Sequence, residues 1–248
     1  MHHTSAYVGT VAQATEIDLP AITDSYFVIQ NGHLLPQRPI QILYAAAMGT
    51  LLTRARISTP TLAVITTPFI RDISPALNVG NPQIFANYSQ DPLQLAALEE
   101  IVMFQTDSAA TSEVNAAILG FNIQSAPQPA GSVFTIRGTS AATLVANAWT
   151  NVGTVTWQNQ LPTGLYAVVG GVFFSAGCIA GRLVLENTAF RPGGLGITAI
   201  TNRTDLLFRF GNLGMWGQFH NYAMPQIEFL SGSADTAEEI YLDLVKIG

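Results

Sequence analysis

The most constraining feature of this sequence is a long stretch, residues 161–181, that contains no charged side chain. About 20 apolar residues are enough to cross a membrane as a helix, so a membrane span is one interpretation. The stretch also contains five glycines, and each glycine inside a helix costs about 1 kcal/mol relative to alanine. Its remaining residues are mostly valine, phenylalanine and other strand formers. We therefore favour two neighbouring strands, residues 164–174 and 178–186, buried on both faces and joined by a turn.

Short apolar segments separated by Pro, Gly, Asn and Ser recur along the whole chain, which is typical of a β-sandwich or barrel. The last segment alternates, with Ile240, Leu242 and Leu244 on one face, as a half-exposed strand should. Extended segments near Val8 and Phe69, and near Ile84, would bring the first half close to eight strands. The predicted strands are residues 26–30, 53–58, 62–67, 101–106, 116–123, 132–137, 154–158, 165–174, 179–185, 196–200, 206–210, 226–230 and 239–246.

Three segments between these strands are predicted to be short helices. Residues 41–48 contain strong helix formers after Pro39, and Gly49 provides a stop. Asp91 and Pro92 resemble an N-cap followed by the first helical position, which predicts a helix over residues 93–100. Residues 140–149 are rich in alanine and form the third predicted helix.

A domain boundary is predicted near the middle of the chain. Residues 125–131 contain two prolines, one glycine and no charge, which is the composition of a short, stiff linker. The boundary gives two domains, residues 1–125 and 126–248. The strand count suits an all-β fold of two consecutive eight-stranded barrels with a few short inserted helices.

The chain has few charged residues, and the acidic ones outnumber the basic ones. Charged residues make up 10% of it, and 10 basic against 16 acidic residues give a net charge of −6. The first basic residue is Arg38, so the sequence shows neither the positive start of a signal peptide nor a basic arm for phosphates. Direct binding to nucleic acid is therefore not expected. The single cysteine, Cys178, excludes a disulfide framework within the chain.

One segment resembles a catalytic motif. The sequence from Gly138 to Ala142, GTSAA, is similar to the serine-nucleophile segment of subtilisin-like proteases. That chemistry needs a histidine base and an orienting aspartate, and no histidine or aspartate here lies in the matching motifs. We expect Thr139 or Ser140 to cap a helix instead. We predict no enzyme and no catalytic residue, and a hydrolase using Ser140 remains the third hypothesis.

Metal and cofactor sites are not predicted either. His2 and His3 lie at a terminus expected to be flexible, and a flexible terminus does not preorganise a metal site. His33 follows a turn signal, and His220 lies in an aromatic patch without other ligands. A Ca²⁺ ion that bridges subunits could use the carboxylates of Asp72, Asp91 and Asp205. Their spacing matches no known calcium-binding loop. No cofactor is expected.

A family resemblance is found in the second half. The sequence YAVVGGVFFSAGCIAGRLV at residues 166–184, followed by FRPGG at 190–194, resembles the major capsid proteins of tailless, icosahedral phages that contain a membrane. The general plan also resembles the double jelly-roll coat family, which implies that the two eight-stranded barrels are consecutive jelly rolls. The resemblance implies a homotrimer with a pseudo-sixfold outline, a lattice above an internal membrane, and no catalytic residues. It also implies a place in the virion after synthesis in the host cytoplasm, with a penton and membrane lipid as further partners.

The low charge of the chain fits faces that bind identical subunits, because burying an unpaired ion costs several kcal/mol. The predicted assembly residues are in Gly-rich loops, and aromatic residues of this kind fill cores equally well. These residues are Phe190, Arg191, Trp216, Phe219 and Tyr222. The alternative function is a carbohydrate-binding or adhesion β-sandwich, which would use the aromatic loop from Trp216 to Tyr222.

Overall fold

The computed structural model describes residues 1–11, 15–22, 24, 40–49, 52–60, 67–69, 84–107, 113–122, 127–186, 188–198 and 206–248. The regular secondary structure of these residues is almost entirely strand, with one short 3₁₀ turn, so the predicted all-β class is confirmed. The strands are β1 His2–Val11, β2 Ile17–Asp18, β3 Ile40–Met48, β4 Leu52–Ser58, β5 Thr67–Phe69, β6 Ile84–Asn87, β7 Leu93–Leu95, β8 Val102–Asp107, β9 Glu113–Asn122, β10 Phe134–Ser140, β11 Trp149–Asn151, β12 Thr156–Trp157, β13 Leu165–Phe174, β14 Cys178–Val184, β15 Gly193–Ile197, β16 Gly217–His220, β17 Gln226–Ser231 and β18 Glu238–Lys246.

The chain divides into two compact units. Unit 1 contains Met1–Thr4 and Asn122–Gly248, and unit 2 contains Ser5–Phe121. The predicted boundary between residues 125 and 126 lies outside the described residues and stays a prediction. Within the described ranges, no helix has the length and apolar character that crossing a membrane requires.

Unit 1 is built from two sheets, which are joined where β13 pairs with β15. The first sheet has the order β10–β18–β13–β16, with β12 outside β10, and the second has the order β11–β17–β14–β15. Leaving β12 aside, the eight strands pair antiparallel as first with last, second with seventh, third with sixth and fourth with fifth. This pattern arises when a long hairpin of eight strands folds over on itself, which is the jelly roll.

Unit 2 repeats this topology. Its sheets have the orders β1–β9–β3–β6 and β2–β8–β4–β5, and the additional strand β7 pairs with β3. Without β7, the strand order is again 1-8-3-6 in one sheet and 2-7-4-5 in the other. The predicted pair of consecutive jelly rolls is therefore confirmed by the strand order of each unit.

The two strands predicted from the uncharged stretch are present as β13 and β14, and both are almost fully buried. They do not bond to each other along their length, because β15 lies between them in the sheet. The predicted strand at residues 206–210 is wrong, since Leu206–Phe208 forms a single 3₁₀ turn. The predicted strand at residues 26–30, and residues 62–66 of another, lie outside the described residues.

The three predicted helices are wrong. Residues 41–48 belong to β3, whose two edges bond to β9 and β6, and such long-range pairing overrides the helix propensity of alanine. The segment 93–100 instead begins with β7, which pairs with Ile40–Ile42 of β3. Residues 141–145 have no regular structure, and the Leu144 N–H bonds to the Asp235 carbonyl, 2.9 Å away, rather than to a helical turn.

Glycines in unit 1 make room for a covering layer. A Cβ at Gly181 would lie 2.0 Å from the Phe173 ring, and one at Gly194 would lie 2.4 Å from the Phe208 ring. A Cβ at Gly170 would lie 2.8 Å from the Phe208 carbonyl oxygen. The segment that contains the 3₁₀ turn can therefore pack directly on β13 and β15, which explains why these strands are buried on both faces.

Candidate assembly surface

Two of the predicted assembly residues lie in the interior of unit 1. Trp216 and Phe219 are 1% and 5% exposed. The main-chain N–H of Trp216 donates to the Val168 carbonyl at 2.8 Å, and the Phe219 ring stacks on Tyr166 with 6.0 Å between ring centroids. Both side chains therefore fill the core. The sequence allowed either this role or a role in assembly contacts.

Tyr222, in contrast, is 78% exposed. It lies in the turn between β16 and β17, which is closed by the bond from the Ala223 N–H to the His220 carbonyl at 2.8 Å. Its ring is parallel to that of His220, with centroids 5.0 Å apart and an angle of 6° between the planes. The pair forms a flat aromatic projection that is available to a partner.

A small cleft lies at the same turn. It has a volume of about 260 Å³, and the turn contributes Ala223, Met224 and Gln226 to its wall, while residues 184–186 at the end of β14 form the rest. Because this cleft and the aromatic pair come from one turn, they form one surface feature. We call it the Tyr222 turn, residues 220–226.

Phe190 and Arg191 are half-buried at the segment before β15. The Arg191 guanidinium donates to the carbonyls of Thr188 and Phe190, at 3.0 and 3.1 Å. The Arg191 N–H donates to His3 Nδ1 at 3.1 Å. The arginine therefore fixes its own loop, and Phe190 is held in place at the edge of the surface.

Buried charges hold unit 1 in shape. Asp243 of β18 is fully buried, and its two carboxylate oxygens accept from the Arg209 guanidinium at 2.6 and 2.8 Å. The Thr135 hydroxyl and the Phe210 N–H donate to the same carboxylate at 2.6 and 3.2 Å. Four hydrogen bonds satisfy the buried charge, and they fasten the segment after the 3₁₀ turn to the sheet.

A second buried ion pair lies on β14. The Arg182 guanidinium donates to Glu228 at 2.6 Å, and the same group lies 3.9 Å from the centre of the Trp149 ring. On a more exposed part of the sheet, Arg137 bonds to Glu239 at 2.6 Å. Hydrogen bonds from Arg137 and from the Tyr241 hydroxyl lower the pKa of Glu239. These pairs join neighbouring strands of each sheet.

The surroundings of Ser140 differ from those of a nucleophile. The Ser140 hydroxyl donates to the Val152 carbonyl at 3.4 Å and accepts from the Ala142 N–H at 3.2 Å. The buried neighbour is Glu238, whose pKa is raised by desolvation. Ser140 ends β10 and starts no helix, so the predicted helix cap is wrong. It lines an open cleft of about 510 Å³ with three threonines, Thr139, Thr154 and Thr156.

The histidines have other roles than those the sequence suggested. His2 and His3 are fully buried, so the expectation of a flexible terminus is wrong. Among the described residues, no group of three His, Cys, Asp or Glu side chains is close enough to hold a metal ion. Of the three candidate calcium ligands, Asp91 is exposed, and Asp72 and Asp205 lie outside the described residues.

The sequence reasoning missed the charged residues that shape this region. Arg182 and Asp243 interrupt apolar strands that were predicted correctly. A charged side chain in a strand buried on both faces needs a partner of opposite charge, and that signal was available. The roles of His2 and His3 depend on pairing with Arg191 and Gly193, far along the chain, which no local pattern reveals.

No protein-family model matches this chain, and no curated protein matches it. Among solved structures, it is similar to the major capsid protein P2 of bacteriophage PM2, with 14% identity and a TM-score of 0.25, over 100% of this chain and 98% of that one. It is also similar to a chain of Sulfolobus turreted icosahedral virus, with 10% identity and a TM-score of 0.23, over 99% and 91%. A third structure describes the triple jelly-roll fold and turret assembly of an archaeal virus, with 12% identity and a TM-score of 0.16, over 99% and 57%. At these scores, we base the function on the chain's own strands and surface.

Proposed function

We propose that this chain is the major coat protein of an icosahedral virus and that it assembles with identical copies into a shell. The observation that carries the proposal is the repetition of one jelly-roll strand order in both units. Jelly rolls occur in viral capsids, lectins and cupins. Two of them in one chain give six similar units in a trimer, and six similar units can fill a hexagonal lattice position.

The composition of the chain supports the same proposal. Only 10% of its residues are charged, and in unit 1 several of these charges are already bonded to each other. Apolar and uncharged surface suits large permanent interfaces, which bury about 2,000–5,000 Å². The proposal includes homotrimers, a penton protein at other lattice positions, an internal membrane as a further partner, no direct contact with nucleic acid and a place in the virion.

The carbohydrate-binding alternative is weakened by the same structure. Of the aromatic residues between Trp216 and Tyr222 that would form a sugar site, Trp216 and Phe219 are core residues. A lectin site needs several polar and aromatic groups that converge on the ligand. Tyr222 and His220 lie on the surface, but their faces are stacked on each other.

The molar mass of the purified protein in solution tests the proposal. The chain has a mass of 26.5 kDa, and we expect size-exclusion chromatography with light scattering to give three times this mass or a larger closed particle. A constant mass of one chain over a wide range of concentrations would contradict the proposal. Glycan-array binding by such a monomer would favour the alternative.

A surface variant then tests the place of the interface. Replacing Tyr222 with Asp puts a charge on the exposed Tyr222 turn, and we expect the particle or trimer to dissociate into folded chains with an unchanged far-UV circular dichroism spectrum. Val145→Asp is the matched control, because Val145 is also an exposed apolar residue of unit 1, at 58%. Assembly that survives Tyr222→Asp would remove this turn from the interface without affecting the mass measurement.

A further inference from the structure

The most exposed large apolar side chains of the two units lie in corresponding connections. Among the described residues, this side chain is Tyr222 in unit 1, at 78% exposure, and Leu98 in unit 2, at 57%. Tyr222 lies between β16 and β17, the sixth and seventh strands of its roll. Leu98 lies between β6 and β8, which are the sixth and seventh strands of unit 2 when the additional strand β7 is left aside. Each roll therefore presents its most exposed apolar residue at the same point of the strand order.

The backbone of Leu98 adds a second cost to this exposure. Its φ angle is +57°, in the left-handed region that leucine rarely adopts. A leucine side chain in water is also less favourable than a buried one. Asparagine would tolerate both the backbone conformation and the exposure better. Leucine is therefore a poor choice for this turn in an isolated chain, and backbone strain of this kind is found where function requires it.

The turn that carries Leu98 is fixed to the body of unit 2. The Ala96 N–H donates to the Glu99 carboxylate at 2.8 Å, and Glu99 is only 6% exposed. Leu95 before the turn and Ile101 after it are buried. The Leu98 side chain is thus held out from an ordered backbone, and a group held in place before binding loses little entropy when it binds.

We propose that the Leu98 turn, residues 96–99, is a contact surface for a second copy of this chain, as proposed for the Tyr222 turn in unit 1. The inference rests on the proposed function, in which identical copies surround each roll. A trimer of chains with two similar rolls contains six of these connections, and corresponding connections can make similar contacts. An identical copy is the occupant that this repetition favours, because an unrelated partner would not require the same connection in both rolls.

Replacing Leu98 with asparagine tests the surface without straining the turn. Leu98→Asn removes the apolar side chain and suits the left-handed backbone, so we expect folded chains with an unchanged far-UV circular dichroism spectrum. We expect the concentration at which half of the protein is assembled to rise about tenfold or more, measured by light scattering. The matched control is Val114→Asn, because Val114 is also an exposed apolar residue of unit 2, at 47%. Wild-type assembly of Leu98→Asn, or an equal loss in Val114→Asn, would overturn the proposal.

A chemical probe tests the same contact by its accessibility. The single native cysteine, Cys178, is buried, so the thiol of Leu98→Cys is the accessible one in the folded protein. We expect a maleimide to modify Leu98→Cys about tenfold or more slowly in the assembled protein than in chains dissociated by dilution, because interface contacts exclude water. Val114→Cys should react at similar rates in both states. Equal rates for Leu98→Cys, or the same slowing in Val114→Cys, would overturn the proposal even if Leu98→Asn does not fold.

Failure of this inference can be distinguished from failure of the proposed function. A wild-type protein that remains a single chain at every concentration contradicts both. A wild-type protein that assembles, while Leu98→Asn assembles equally well and Leu98→Cys reacts equally fast in both states, contradicts this inference alone.

Discussion

The third strand of each jelly roll, β13 in unit 1 and β3 in unit 2, solves the same packing problem with different residues. Both are bonded on two edges and buried on two faces. β13 uses paired glycines between valines and phenylalanines, whereas β3 uses three consecutive alanines. Sequence patterns predicted the first correctly and the second as a helix. Burial on both faces removes the alternation that marks a strand, so composition decides the prediction, and alanine misleads it.

The two strands also share a contact between an aromatic ring and a glycine. In unit 1, Phe173 of β13 lies over Gly181, and in unit 2, Tyr44 of β3 lies over Gly120. In each case a Cβ on the glycine would lie 2.0 Å from the ring. An aromatic ring on the third strand thus lies over a glycine in both rolls, on β14 in unit 1 and on the adjacent strand β9 in unit 2.

Unit 1 has an ion pair with a fully buried carboxylate, whereas the pair in unit 2 is partly exposed on both sides. Replacing the arginine of each pair tests this difference. In unit 1, Arg209→Met leaves Asp243 buried with only its Thr135 and Phe210 donors. Loss of one partner of a buried pair costs about 3–5 kcal/mol. We expect the free energy of unfolding to fall by about 3 kcal/mol, measured by urea denaturation. A loss below about 1 kcal/mol would show that the pair does not hold unit 1 together.

Adding one methyl group to the glycine in each roll tests this contact between ring and glycine. We expect Gly181→Ala and Gly120→Ala each to destabilise the protein by about 1–3 kcal/mol, because the added Cβ overlaps the ring. Phe173→Leu combined with Gly181→Ala, and Tyr44→Leu combined with Gly120→Ala, should recover part of this loss through coupling of neighbouring sites. Additive effects in the two double mutants would break the comparison.

The smallest effect is expected for the ion pair of unit 2. Arg56 bonds to Glu16, and both side chains are partly exposed, at 19% and 30%. Exposed pairs contribute about 0–1 kcal/mol, so Arg56→Met should change urea stability by less than Arg209→Met does.

The pH dependence of that variant checks its cause. The Arg56 hydrogen bond lowers the pKa of Glu16 in the folded protein. A lowered carboxylate pKa stabilises the fold above the unfolded pKa of about 4.3, and this contribution is lost as the pH falls below it. The difference between wild type and Arg56→Met should therefore shrink in acid. A difference that stays the same in acid would assign it to packing of the arginine side chain.

Sequence patterns were sufficient where a strand carries β-branched or aromatic residues, as β13, β17 and β18 do. They failed where short strands depend on partners far along the chain, as β7 depends on β3 and β11 on β17. Three residues give too little local signal to outweigh alanine or an N-cap pattern. The strand order of each roll follows from such long-range pairing.

The candidate surface was predicted less well than the fold. Gly-rich loops with aromatic residues predicted an assembly surface in unit 1, and of the residues named for it Tyr222 is exposed. Trp216 lies in the core because Gly171 of β13 leaves space for its ring, and Phe219 lies in the core against the Tyr166 ring. A hydrophobic side chain gives no sequence signal that separates a core position from an interface.

Negative-stain electron microscopy of the purified protein tests the central claim most directly. If two jelly rolls in one chain serve to build a shell, the images will show closed shells or capsomers with threefold symmetry. A uniform field of single small particles, each the size of one 26.5-kDa chain, would contradict the account.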